Sequence, residues 1–228
     1  MAKILNIETS TTVCSVAVAM DGVVKSVHEI NEGYSHAEKL EILIQKALKD
    51  SKVEMSELEA ISVSKGPGSY TGLRIGVSLA KGLCFGANIP LISVPTLEAM
   101  ALHPKVQAHE NTLRIPLLDA RRMEVYACVL DEENRVKVPT AAVVIDGQSF
   151  TESLDQQQAV FFGPGMEKCK EVLSAHSNAR FEDDILPSAA HMASVSEAKF
   201  IANEVEDMAY FEPFYLKDFV AGKPKKLL

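Results

Sequence analysis

The chain has 228 residues, 47% of them hydrophobic, with 23 lysines and arginines against 31 aspartates and glutamates for a net charge of −8. That is enough chain for one large or two small domains with ample core, and the acidic balance excludes a broad basic surface for nucleic acid. Cys14, Cys84, Cys128 and Cys169 show no paired or zinc-ligand spacing, no stretch reaches the roughly 18 apolar residues of a membrane span, and no secretory pattern opens the chain. A soluble cytoplasmic protein with buried free thiols is expected.

In chain order, Lys3 to Glu8 and Val13 to Met20 read as strands around the polar turn Thr9-Ser10-Thr11-Thr12. Asp21-Gly22 signals a hairpin into a third strand, Val23 to Ile30. Ser35, with Glu38 three residues on, caps a helical pattern running to Lys49. A strand near Ala60 to Ser64 precedes a long helix from Thr71. Ile89 to Val94 is a short strand, and Pro95 opens another helix. The pattern lapses into polar residues from Pro104 to Asn111, which marks a domain junction and divides the chain into 1–105 and 106–228. The second half starts again with strands Leu113 to Leu118, Glu124 to Leu130 and, past the turn Asp131-Glu132-Glu133-Asn134, Val136 to Val138. A strand from Ala159 to Phe162 then meets Gly163-Pro164-Gly165 and a helix, Met166 to Ala175. Gly66-Pro67-Gly68 stands at the same place in the first half, so two duplicated α/β halves are expected.

Strand, glycine turn and helix N-terminus leave backbone N–H groups pointing outward, an arrangement that suits a phosphate or a carboxylate. The turn lacks the Gly-Lys-Ser/Thr of a Walker loop, and Lys65 precedes its glycines. Two readings stay open for Gly66 and Gly68: a phosphate site shared with Ser10, Thr11 and Thr12, or a tight strand-to-helix turn. On the helix, Leu73, Val77, Ala80 and Cys84 form one apolar stripe and Ile75, Leu79, Gly82 and Gly86 a second. Arg74, Ser78 and Lys81 are a polar strip between them. Gly72 and Gly76 let a neighbour approach closely. In the preceding helix Leu40, Leu43, Ile44, Ala47 and Leu48 share one face and Ile42 lies off it. A helix apolar on two sides must be covered on two sides, which makes helices 35–50 and 71–86 the candidate interaction surface, through Ile42, Gly72, Arg74, Ile75, Gly76, Ser78, Leu79 and Gly82. Asp119, Arg121 and Arg122 end an apolar strand as catalytic groups can, but a salt-bridged turn that holds the interdomain groove is the favoured expectation. The basic tail residues Lys223, Lys225 and Lys226 read as a solvated end.

The blocks IETSTTVCSVAV, SKGPGSYTGLRIGVSLAKGL, DARRMEVY and PFYLK, in this order from Ile7 to Lys217, resemble the TsaB (YeaZ) family of the actin-like, sugar-kinase and chaperone ATPase superfamily. The chain departs from the family pattern at Met123, where glycine is usual, and mildly at Tyr70, where phenylalanine is. The resemblance implies an actin-like fold of two related α/β domains. It also implies a non-catalytic subunit of the machinery that threonylcarbamoylates the adenosine beside the tRNA anticodon. The implied partners are the catalytic, metal-holding TsaD-type subunit, the TsaE-type ATPase, a second copy as a homodimer, and tRNA only through the complex. The family pairs through the same helix region, and no membrane partner is implied.

In the catalytic relative, two histidines four apart on a helix ligate the metal, where this chain has Thr96 and Met100, neither a ligand for a hard or borderline divalent ion. Glu98 alone makes no site, and His36, His103, His109, His176 and His191 have no spacing that replaces the pair. No metal, cofactor or catalytic residue is therefore expected. A stand-alone small-molecule kinase or ATPase of the same fold is the rival, against which the first turn Glu8-Thr9-Ser10-Thr11-Thr12 lacks the glycine that brings phosphate to backbone. The older peptidase label of such proteins finds no Ser/His/Asp set and no HExxH here.

Overall fold

In a computed structural model of the protein, which describes residues 2–33, 36–107 and 109–217, both halves are built on one plan. In the first, β1 (Lys3–Glu8), β2 (Cys14–Met20) and β3 (Val23–Ile30) form an antiparallel meander, and β4 (Ala60–Gly66) and β5 (Leu91–Pro95) add in parallel for the order β3-β2-β1-β4-β5. The second half repeats it with β6 (Leu113–Asp119), β7 (Glu124–Leu130), β8 (Val136–Val144), β9 (Ala159–Phe162) and β10 (Ala179–Glu182) in the order β10-β9-β6-β7-β8.

The helices of the first half follow from periodicity. α1 (His36–Ser51) buries Leu40, Leu43, Ile44 and Ala47 on the sheet. α2 (Tyr70–Ala87) buries Leu73, Val77, Ala80 and Cys84, so the first apolar stripe is its core face. Ser69 caps α2, its hydroxyl accepting from Gly72 N at 3.2 Å, and Asn88 in the left-handed region (φ 54°) ends it. The four cysteines are free and buried, as expected; burial pushes the Cys128 thiol up to about 12.

α3 (Thr96–Met100) leaves β5 and lies between the sheets, its Leu97 and Met100 packed with Leu118, Leu130 and Phe162 of the second half. The short α4 (Pro104–Gln107) follows. α5 (Thr151–Gln156) and α6 (Glu167–Leu173) serve the second sheet. The chain then returns to the first: a 3-10 turn at Ala189–Met192 and α7 (Ala193–Ile201) pack on β1 and β2, with Ala189 N donating to Ser15 Oγ at 2.8 Å and Ser196 Oγ to Asn6 Oδ1 at 2.7 Å. Three expectations need correcting. The strand at Val136 runs to Val144, α6 is shorter than Met166 to Ala175, and the segment from Ala189 to Ile201 packs on the first sheet. Ser35 and the tail lysines 223, 225 and 226 lie outside the described residues.

Candidate functional site

The two strand-to-helix turns open on glycines of like conformation, Gly66 with φ +104° and Gly163 with φ +102°, where only glycine is unstrained, but the Gly66-Pro67 bond is cis and Gly163-Pro164 is not. In the first half the turn is closed against the β1–β2 turn. Ser69 N donates to Ser10 O at 2.6 Å and Thr9 Oγ1 to Gly72 O at 2.8 Å. A Cβ on Gly68 would overlap Ser10 O, and one on Gly72 or Gly76 would overlap Thr9. Thr11 Oγ1 accepts from Val13 N at 3.2 Å, and Thr12 Oγ1 donates to Asn31 Oδ1 at 2.8 Å. Of the phosphate candidates Ser10, Thr11, Thr12, Gly66 and Gly68, the two threonine hydroxyls thus have partners within the chain, while Ser10 Oγ has none among the described residues. The α2 N–H groups of Gly72 and Leu73 are already spent on Ser69. Gly72 and Gly76 are buried, and the close neighbour they admit is Thr9 of the same chain.

Beneath this turn lies Glu8, fully buried, with Oε1 accepting from Ser10 N at 2.5 Å and Oε2 without a partner among the described residues, as is Ser10 Oγ. Burial raises the Glu8 carboxyl against the opposing hydrogen bond from the Ser10 N–H. Where the catalytic relative is expected to carry imidazoles, Thr96 shares a 2.5 Å hydrogen bond with Ser64, and Met100 is buried in the core beside Gly163. Among the described residues no three His, Cys, Asp or Glu side chains converge as a metal site would require. His103 and His191 meet edge to face, centroids 4.9 Å apart, and burial pushes His191 down to about 4.

The outer face of α2 divides in two. Along one side runs an irregular strap, residues 206–217, which the sequence reading missed. Glu206 N donates to Leu91 O at 2.8 Å, Lys81 Nζ to Phe211 O at 3.1 Å and Phe214 N to Lys65 O at 2.7 Å. Arg74 lies 4.4 Å over the Tyr70 ring and donates to Tyr215 Oη at 3.4 Å, and Lys217 pairs with Glu124 of the second half. The polar strip thus belongs largely to the strap. The other side stays open between strap and α1. Ser78 and Gly82 are exposed, Ile75 and Leu79 are half-buried, and nothing lies within 4 Å of a Cβ built on Gly82 or Gly86. Ile42 of α1 is 46% exposed and Phe85 82% exposed. Phe85 was missed, although its place three residues after Gly82 puts it on this face. The open side continues into an apolar cleft of about 510 Å³ between Leu83, Ile89, Met55 and Leu58.

The matching turn of the second half is clamped differently. Lys168 Nζ donates to Asp119 Oδ1 at 2.5 Å and to the carbonyls of Arg122 and Glu124 at 2.7 Å each. The salt bridge expected at this turn exists, but its cation is Lys168 and not Arg121 or Arg122.

Two α/β halves of one topology, joined by a helix that lies between their sheets, define an actin-like protein. The activator of 2-hydroxyisocaproyl-CoA dehydratase from Clostridium difficile shares that fold, with a TM-score of 0.50 at 9% identity over 90% of this chain and 98% of its own. A family model described as TsaD, tRNA N6-adenosine threonylcarbamoyltransferase, matches residues 33–225. The tRNA threonylcarbamoyladenosine biosynthesis protein TsaB of Escherichia coli is 30% identical over 97% of both chains. YeaZ from Pseudomonas aeruginosa superimposes with a TM-score of 0.81 at 24% identity, over 95% of this chain and all of that one. The chain belongs to the TsaB (YeaZ) family.

Proposed function

We propose that this protein works in tRNA threonylcarbamoyladenosine biosynthesis as a non-catalytic subunit that docks a TsaD-type catalytic partner on the open side of α1 and α2. The observation that carries this reading is that open side itself: Ile42, Ile75, Leu79 and Phe85 around the bare backbone of Gly82, beside a strap that covers only half of the helix. A single large apolar patch rimmed by polar groups is the ordinary form of a protein contact. A second copy meets the same face when the partner is absent, a TsaE-type ATPase joins the pair, and tRNA is met only within the complex. The stand-alone kinase or ATPase is disfavoured by the closed β1–β2 turn, whose glycine contacts leave no room beside Ser10 and Thr9.

Ile75 and Leu79 also lean on the first core, so charging them confuses folding with docking. Gly82→Arg avoids this, because it adds an exposed helix former in open space. Gel filtration with the TsaD-type partner is expected to show at least about a 100-fold weaker complex, roughly 2.7 kcal/mol, at an unchanged melting temperature. Full-strength assembly by Gly82→Arg, or ATP turnover by the isolated chain, would contradict the reading.

A further inference from the structure

Arg121 and Arg122 stand in succession in the left-handed region, at φ 73° and 49°, in the turn joining β6 to β7. Nothing in the turn's own chemistry asks for arginine there; asparagine and glycine fit such backbone with less strain. Nor do the side chains hold the turn, since Lys168 bonds Asp119 and two turn carbonyls, and Asp119 Oδ1 also accepts from Arg121 N at 2.8 Å. Both residues are exposed, and neither guanidinium has a hydrogen bond or ion pair among the described residues, although the Arg121 charge helps to hold the Asp119 carboxyl below its ordinary value. Strained backbone carrying unspent charge is a feature folds keep at working surfaces. The other charges at this end pair off, Lys168 with Asp119 and Lys217, at the end of the strap, with Glu124 at the start of β7, which leaves the two arginines as net positive charge. On a chain of net charge −8 this is a local reversal of sign.

We infer that the Arg121–Arg122 turn is a contact for the phosphodiester backbone of RNA, an inference that rests on the proposed role in a tRNA-modifying complex. A guanidinium presents two parallel N–H donors to a phosphate and stays charged at any physiological pH. Two such groups on a turn clamped by a third cation supply a small, sequence-blind contact. The acidic remainder of the chain repels RNA, which confines the contact to this end and keeps it weak unless a partner adds more.

The test is the variant Arg121→Asn with Arg122→Gly, which relieves the left-handed strain while removing both charges. Lys137→Ala, at the opposite end of β8 from this turn, is the control for simple loss of charge. Fluorescence anisotropy with unmodified tRNA, titrated with salt, is read on the assembled complex. Gel filtration of the same samples reports assembly. The expected result is a melting temperature at or above wild type, unchanged assembly, and a slope of log affinity against log salt reduced by about 1.4 to 1.8, the yield of two phosphate contacts. Lys137→Ala leaves the slope unchanged. An unaltered slope in the double variant overturns the inference, and so does loss of assembly with RNA binding intact, which would make the turn a contact for an acidic protein surface. Failure of the wild-type chain to assemble counts against the proposed function instead. In that case the same titration on the chain alone at low salt decides the arginines.

Discussion

The strands β1 and β6 occupy the same place in the two halves, and each ends in a carboxylate, Glu8 and Asp119. Their surroundings are opposite. Glu8 is sealed under a turn pressed onto α2, with no cation paired to it and one oxygen unpaired among the described residues. Asp119 is exposed. The little burial it has pushes its carboxyl up, but Lys168 and Arg121 N outweigh that and hold it below its ordinary value. One duplicated plan has thus given a shut turn in the first half and an open, clamped turn in the second. The shut first turn agrees with the proposed non-catalytic role.

The glycines that follow β4 and β9 break that comparison most sharply. A Cβ on Gly68 overlaps Ser10 O, whereas one on Gly165 would lie 2.8 Å from Leu118 C. Gly68→Ala is expected to cost about 3 kcal/mol or more and Gly165→Ala about 1 to 2, read by urea unfolding; equal costs would mean the two turns are equally closed.

The buried groups sharpen it through pH. Above the ordinary carboxyl value of 4.5 an unfolded chain releases the Glu8 proton while the native chain keeps it. Wild type should therefore lose stability relative to Glu8→Gln as pH rises from there. His191 acts in the other direction. Between 6.5 and about 4 the unfolded chain takes up a proton that the native ring refuses, so stability falls as pH falls through this window. His191→Phe should flatten that acid limb in thermal melts, and parallel curves for variant and wild type would show the ring to be freely titrating. The smallest effect belongs to the helix cap, where Ser69→Ala is expected to cost about 1 kcal/mol.

The repeated plan was legible because strand, Gly-Pro-Gly and helix recur at Gly66 and Gly163 with the same backbone demand. The core stripe of α2 was legible from its period. What escaped lies where contacts carry no period. The strap from 206 to 217 is held largely through backbone carbonyls and N–H groups, which leave no mark in residue types. β10 is only four residues, ARFE, two of them charged, and β8 contains Pro139, which hides an edge strand. Gly72 and Gly76 revealed a close approach correctly, but spacing cannot say whether the neighbour is another subunit or Thr9.

The central claim, that the open side of α1 and α2 receives the partner, is tested most directly by amide hydrogen exchange on the chain alone and with the TsaD-type subunit. The account predicts slowed exchange in α1 around Ile42 and in α2 from Ile75 to Gly86, with the β1–β2 turn at residues 8–12 unchanged. Protection at that turn, with α1 and α2 exchanging as before, would contradict it.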